Sequence, residues 1–170
     1  MDARHDEGRL REVYAASYAR LVGQLVGVTG DPAEAEDSVM EAFARAAPGR
    51  SSFHEADNPE AWLRTVAVNV ARSRWRRMLR RSHLLPRLLP TDSYADLPEE
   101  HLALMAALRQ LPTPQREAIA LHHLADLPVS EVALTLGVPE GTIKARLSRG
   151  RAALAALLSP SKEDDHVRPA

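Results

Sequence analysis

Cysteine is absent from the 170 residues, which excludes disulfides, a thiolate nucleophile and any cysteine-bearing zinc or iron–sulfur centre. Aromatic residues reach only 4%, so base stacking or an aromatic cage has few side chains to draw on. Lysine is almost missing: Lys144 and Lys162 are the two, and the remaining twenty of the 22 cationic side chains are arginine. No apolar run approaches the roughly 20 residues that cross a bilayer. No apolar segment of a secretory signal follows Met1, and a cytoplasmic protein is the expectation. No glycine-rich phosphate loop precedes a helical segment. Adjacent His122 and His123 would point about 100° apart on a helix and cannot chelate one metal as an i, i+4 pair would; they read as surface or partly buried side chains. No enzyme, metal or cofactor is expected.

What is present is charge in blocks. The net charge of −1 conceals eight acids against two arginines in residues 31–60, and eight arginines with no acid in residues 61–90. Residues 91–135 hold seven acids against two arginines, and residues 136–157 four cations against Glu140. Two basic segments, each beside an acidic one, suit two polyanion contacts and separate surfaces for something else.

Nearly every segment reads as helix, because alanine and leucine abound, β-branched alternation is missing, and prolines fall between periodic stretches. Leu10, Val13, Tyr14, Leu21 and Leu25 follow helical spacing in a first helix ending near Gly30. Asp31 as N-cap, Pro32 in the first turn and Glu34 predict a second helix, closed by Pro48-Gly49. Its core stripe is Ala35, Val39, Phe43 and Ala46; Glu34, Asp37 and Glu41 fall on the other side. Asn58 and Pro59 open a third helix that runs to about Ser82 and carries six arginines between 72 and 81, with Trp75 among them. Such a cluster suits a phosphate backbone through counterion release.

The fold class expected is all-α: two small helical domains, 8–82 and 98–158, joined by a flexible linker at 83–97 that carries Pro86 and Pro90, with a polar tail at 159–170. Past Pro98 the expected helices are 99–110, 114–125, 129–136 and 140–157. Ser130 as cap, Gly137 as tight turn, Val138 as core plug and Pro139 at the next start spell a helix-turn-helix. In its second helix Ile143, Leu147 and Leu154 form the buried stripe. The opposite side carries Gly141, Ala145, Ser148, Arg149 and Ala152, flanked by Thr142, Lys144 and Arg146. Small residues with cations at the margins let a helix lie deep in the major groove.

Four ordered segments then carry a resemblance: Gly30-Asp-Pro-Ala-Glu-Ala-Glu-Asp-Ser-Val-Met-Glu-Ala-Phe, Asn58-Pro-Glu-Ala-Trp-Leu-Arg-Thr-Val-Ala-Val-Asn, Leu111-Pro-Thr-Pro-Gln-Arg-Glu-Ala and Gly141-Thr-Ile-Lys-Ala-Arg-Leu. In this order and spacing, over roughly residues 8–157, the chain resembles a bacterial RNA polymerase sigma factor of the short, two-domain extracytoplasmic-function type. The resemblance implies a transcription initiation factor that binds core RNA polymerase, recognises two promoter elements and helps melt DNA. It implies that Asp37, Ser38 and Glu41 dock on the β′ clamp coiled coil, and that the β flap is a further contact. It implies that the loop 49–58, with Phe53 and His54, and Asn69 capture a base of the melted minus-ten element beside backbone contacts from Arg72, Arg76 and Arg77. Thr142, Lys144, Ala145, Arg146, Ser148 and Arg149 would read the minus-thirty-five element. An anti-sigma factor is an implied partner. Met40 stands where the family commonly has glutamine, and Ala145 where serine is common. The rival reading is a free-standing helix-turn-helix regulator with an N-terminal interaction domain.

Overall fold

A computed structural model of the chain describes residues 3–47, 52–81 and 98–159. Among these residues seven α-helices and no strand are found. The N-terminal group is α1 (Ala3–Thr29), α2 (Pro32–Arg45), a 3₁₀ turn at Ser52–Glu55 and α3 (Pro59–Arg81). The second is α4 (Glu99–Gln110), α5 (Thr113–Ile119), a π turn at Ala120–Leu124, α6 (Val129–Leu136) and α7 (Glu140–Leu158). The whole linker at 83–97, the tail beyond Ser159 and Pro48-Gly49 lie outside the described residues.

Local chemistry sets the corners. α1 stops at Gly30, whose φ of 72° lies in the left-handed region that a side chain would strain. Asp31 Oδ1 then accepts from the backbone N–H of Ala33 (2.9 Å) and Glu34 (3.4 Å), satisfying donors that a helix start leaves orphaned. Asn58 Oδ1 does the same for Ala61 N–H at 3.0 Å. The cap expected of Ser130 does not form: Pro128 holds the N-cap position and α6 has no side-chain cap bond. An extended Pro128 already turns the chain into the helix, which leaves Ser130 exposed within the first turn. Gly137 closes α6 at φ 66°, and Val138 N–H bonds back to Ala133 O at 3.1 Å.

In the first group, α1, α2 and α3 bury Leu21, Leu25, Val39, Phe43, Leu63 and Val68 between them. Ala35, Ala42, Ala46 and Ala67 are fully buried and let the helices approach closely. Each large apolar side chain so removed from water contributes roughly 1.5–3 kcal/mol. A polar strap crosses the outer edge. Arg20 grips both oxygens of Glu60 (2.9 and 2.5 Å), and Arg64 joins Glu60 at 3.2 Å and Gln24 Oε1 at 2.9 Å. Hydrogen bonds from Arg20 hold the Glu60 carboxyl below the usual carboxylate range. In the second group, Leu108, Leu121, Val132, Ile143 and Leu147 form the centre. α7 crosses α5 at buried Gly150, where an added Cβ would lie 2.8 Å from Ile119 Cγ1.

The two groups are packed together, a contact that the helical periodicities do not announce. Leu124 of the π turn seats in a notch at Gly27 of α1, where any Cβ would overlap Leu124 Cδ1 and stand 3.2 Å from Ala120 Cβ. Arg116 donates to Val28 O at 2.9 Å, which caps the exposed carbonyl end of α1. Arg72 of α3 reaches Glu117 Oε1 at 3.4 Å and donates to Leu136 O at 3.1 Å. Glu117 is 5% exposed; burial pushes its carboxyl above the usual range, opposed by Arg72 and Arg116. Gly27→Leu is therefore expected to pry the groups apart while α1 itself gains about 1 kcal/mol of helix propensity. Small-angle scattering should show a larger radius of gyration at unchanged helix content.

Candidate nucleic-acid and polymerase interfaces

Three surfaces carry the candidate residues. The first is the outward face of α7. Gly141, Lys144, Ser148 and Arg149 are exposed, and Thr142, Ala145 and Arg146 are half-buried at its edge. Among the described residues no ion pair engages Lys144 or Arg149, so their charges face solvent. A cleft of about 570 Å³ runs between this face and Pro112, Pro114 and Gln115 at the start of α5. The all-small centre gives a groove-filling ridge without bulk, and the helix-turn-helix corner fixes its angle.

The second surface is the C-terminal half of α3. Asn69, Arg76 and Arg77 are exposed along it, with Arg76 Nε donating to Arg72 O at 3.3 Å. Two expected members depart. Arg72 turns inward to Glu117 and Leu136, because a buried carboxylate and an open helix end attract it more strongly than bulk solvent. Phe53 does not stand ready to stack on a base. It is 0% exposed, edge-to-face with Trp62 at 5.5 Å, since a phenyl ring gains more by joining the core than by standing in water. The His54 side chain beside it is only 10% exposed, its Nε2 3.2 Å from Ala46 O. Residues 49–51 of the expected capture loop lie outside the described residues.

The third surface is the acidic side of α2. Asp37 and Glu41 keep side-chain exposures of 64% and 40%, one turn apart. Asp37 lies 3.6 Å from Arg74, and Glu41 2.5 Å from Arg45. Glu34 also meets Arg74, at 3.2 Å, and burial pushes its carboxyl up. Each of the three carboxylates thus has an arginine beside it, Arg74 for Glu34 and Asp37 and Arg45 for Glu41. Ser38 is not on this surface: it is 0% exposed, because its position on α2 faces the helix packing. Met40 is 48% exposed.

The residues that sequence reasoning passed over are the charges at the seam. Arg116 and Glu117 are buried inside an otherwise apolar stretch, and that interruption of a core stripe was the available signal. Gly27, in mid-helix, was another, since glycine there costs about 1 kcal/mol unless something needs the space. His122 and His123 sit at the π turn. His122 Nδ1 lies 2.7 Å from Leu127 O, and Arg151 donates to His123 Nε2 at 3.2 Å. Among the described residues no group of three or more potential metal ligands occurs, and no helix is long and apolar enough to cross a membrane.

The comparisons with known proteins match this layout. The pattern described as Sigma-70 region 2 matches residues 13–81, and that described as Sigma-70, region 4 matches residues 101–154. The chain is 31% identical over 160 residues to the ECF RNA polymerase sigma factor EcfG of Rhodopseudomonas palustris, covering 92% of this chain and 88% of that one. It is 33% identical over 143 residues to the ECF RNA polymerase sigma factor SigM of Mycobacterium tuberculosis, covering 82% and 72%. Among solved structures, the sigma factor RpoE of Bartonella quintana, crystallised with the anti-sigma factor NepR, superposes with a TM-score of 0.70 at 27% identity. That superposition covers 87% of this chain and 95% of that one. With helices of these lengths in this order and two sigma-70 regions spanning both groups, the chain belongs to the extracytoplasmic-function sigma factors, which direct RNA polymerase to promoters.

Proposed function

We propose that the chain acts as two domains, 8–82 and 98–158, on two promoter elements, and that core RNA polymerase holds it by the acidic face of α2. The observation that carries this reading is the separation of charge on one helical frame. Exposed carboxylates of α2 point away from the core on one element, and exposed arginines line the end of α3 and the outer face of α7. Asp37 and Glu41 meet the basic side of a clamp helix pair. Asn69 and His54, with Arg76 and Arg77 on the adjoining phosphates, take an unstacked base of the downstream element. Lys144, Ala145, Ser148 and Arg149 enter the major groove of the upstream element, and Thr142 and Arg146 flank them. Trapping the unstacked base offsets the few kcal/mol that unstacking costs, so the chain helps melting without doing chemistry. By analogy with the relative crystallised with NepR, an anti-sigma protein is a partner.

The test is run-off transcription with purified core polymerase on genomic fragments, followed by mapping of start sites. Start sites preceded by two shared sequence elements are the expected result. Tight, sequence-specific duplex binding by the chain alone, with no transcripts on addition of core enzyme, would instead establish a free-standing helix-turn-helix regulator.

A further inference from the structure

The turn Ser52–Glu55 is a single short 3₁₀ winding, closed at its end by Ala56 N–H to Phe53 O at 3.2 Å. Fixing the backbone of each residue costs conformational entropy, so a turn this short gains from side chains that hold it from outside. Much of that support comes from the first turns of α1. Arg9 donates from one guanidinium nitrogen to His54 O at 2.6 Å and from the other to Ala56 O at 3.0 Å. Its guanidinium carbon lies 5.9 Å from the centre of the Phe53 ring. One turn earlier, Asp6 Oδ1 stands 3.6 Å from His54 Nδ1. Trp62 adds a bond to Ser52 Oγ at 3.0 Å. Arg9 is four residues ahead of the start of the region 2 match at residue 13.

We infer that Arg9 is a positioning residue for recognition of the melted element: its forked guanidinium pre-forms the turn that carries His54. This rests on the reading proposed above for that turn. A planar fork spans two carbonyls two residues apart, whereas an ammonium is a single point donor. Pre-forming the turn removes an ordering cost from the binding step. Arg9 itself touches no nucleic acid in this scheme.

The experiment uses full-length chain assembled with core polymerase, and a labelled single-stranded DNA oligonucleotide carrying the downstream element shared by the mapped start sites. Arg9→Ala is expected to weaken binding of this oligonucleotide about tenfold, with core affinity and helix content unchanged, and Arg9→Lys is expected not to restore it. The slope of log affinity against log salt should be unaltered in Arg9→Ala, whereas Arg76→Ala should reduce it by about one, as removal of a phosphate-binding cation does. If Arg9→Ala fails to fold, Arg9→Gln, which keeps one donor, is measured in its place with the same expectations. Unchanged affinity in the Arg9 variants while His54→Ala or Asn69→Ala weakens binding would overturn the inference and leave the reading of the turn standing. A salt slope reduced by one in Arg9→Ala would also overturn it, by making Arg9 a direct phosphate ligand. No effect of His54→Ala, Asn69→Ala or Arg9→Ala would overturn the reading of the turn itself.

Discussion

Replacing Asp37 and Glu41 together by lysine is expected to weaken binding of core RNA polymerase by about a hundredfold or more, at nearly unchanged thermal stability. Asp37 is exposed and Glu41 partly so, and each has one surface partner, Arg74 at 3.6 Å and Arg45 at 2.5 Å. Surface pairs of this kind contribute about 0–1 kcal/mol, so the fold loses little. Binding loses more, because each substitution removes an attraction and introduces a like charge against a basic clamp. At about 1.4 kcal/mol per tenfold, roughly 2–3 kcal/mol in all accounts for the loss. The neutral pair Asp37→Asn and Glu41→Gln should lie between wild type and the reversal. Anisotropy titration of labelled chain with core enzyme reads the affinity, and a thermal melt reads the fold. Full affinity in the reversed variant would move the docking surface off α2.

The second large effect belongs to α7. Lys144→Ala and Arg149→Ala together are expected to cost upstream-element recognition about 1–3 kcal/mol for each side chain that reads a base. The two positions lie more than a turn apart on α7, and their effects should add approximately. Neither side chain holds the fold together: both are exposed and no described acid pairs with them. Core affinity should therefore stay constant while footprinting of the upstream element fades. An unchanged footprint would show that a different face of α7 meets DNA.

The helix starts at Asp31 and Asn58, the left-handed corner at Gly137 and the stripe of Ala35, Val39, Phe43 and Ala46 were legible because each is set by residues a turn or two away. Their physics is local: a side-chain oxygen meets the N–H groups two or three residues on, and period 3.6 sorts faces. The errors share the opposite cause. Phe53 and Ser38 look available in sequence, and both are buried by neighbours from other elements, α1 and α3 in the case of Phe53. Ser130 makes no cap because the preceding proline has already set the entry of the chain. Arg72 looked like one cation in a solvent-facing row until Glu117, 45 positions later, drew it inward. The π turn at Ala120–Leu124, a one-residue change of winding in the expected 114–125 helix, leaves no mark on apolar spacing. Charge blocks need no knowledge of tertiary neighbours, since they state only which segments carry which sign.

The seam between the helical groups includes a leucine in a glycine notch, an arginine on a helix end and an arginine shared between a carboxylate and a carbonyl. Sixteen residues, 82–97, join its two sides, and a chain of that length reaches no farther than about 55 Å. Tethering makes closure a unimolecular event at an effective concentration of order millimolar. The balance between closed and open forms is therefore independent of how dilute the protein is in the cell. Any visitor that needs the seam open, whether nucleic acid or protein, competes with a neighbour that never diffuses away.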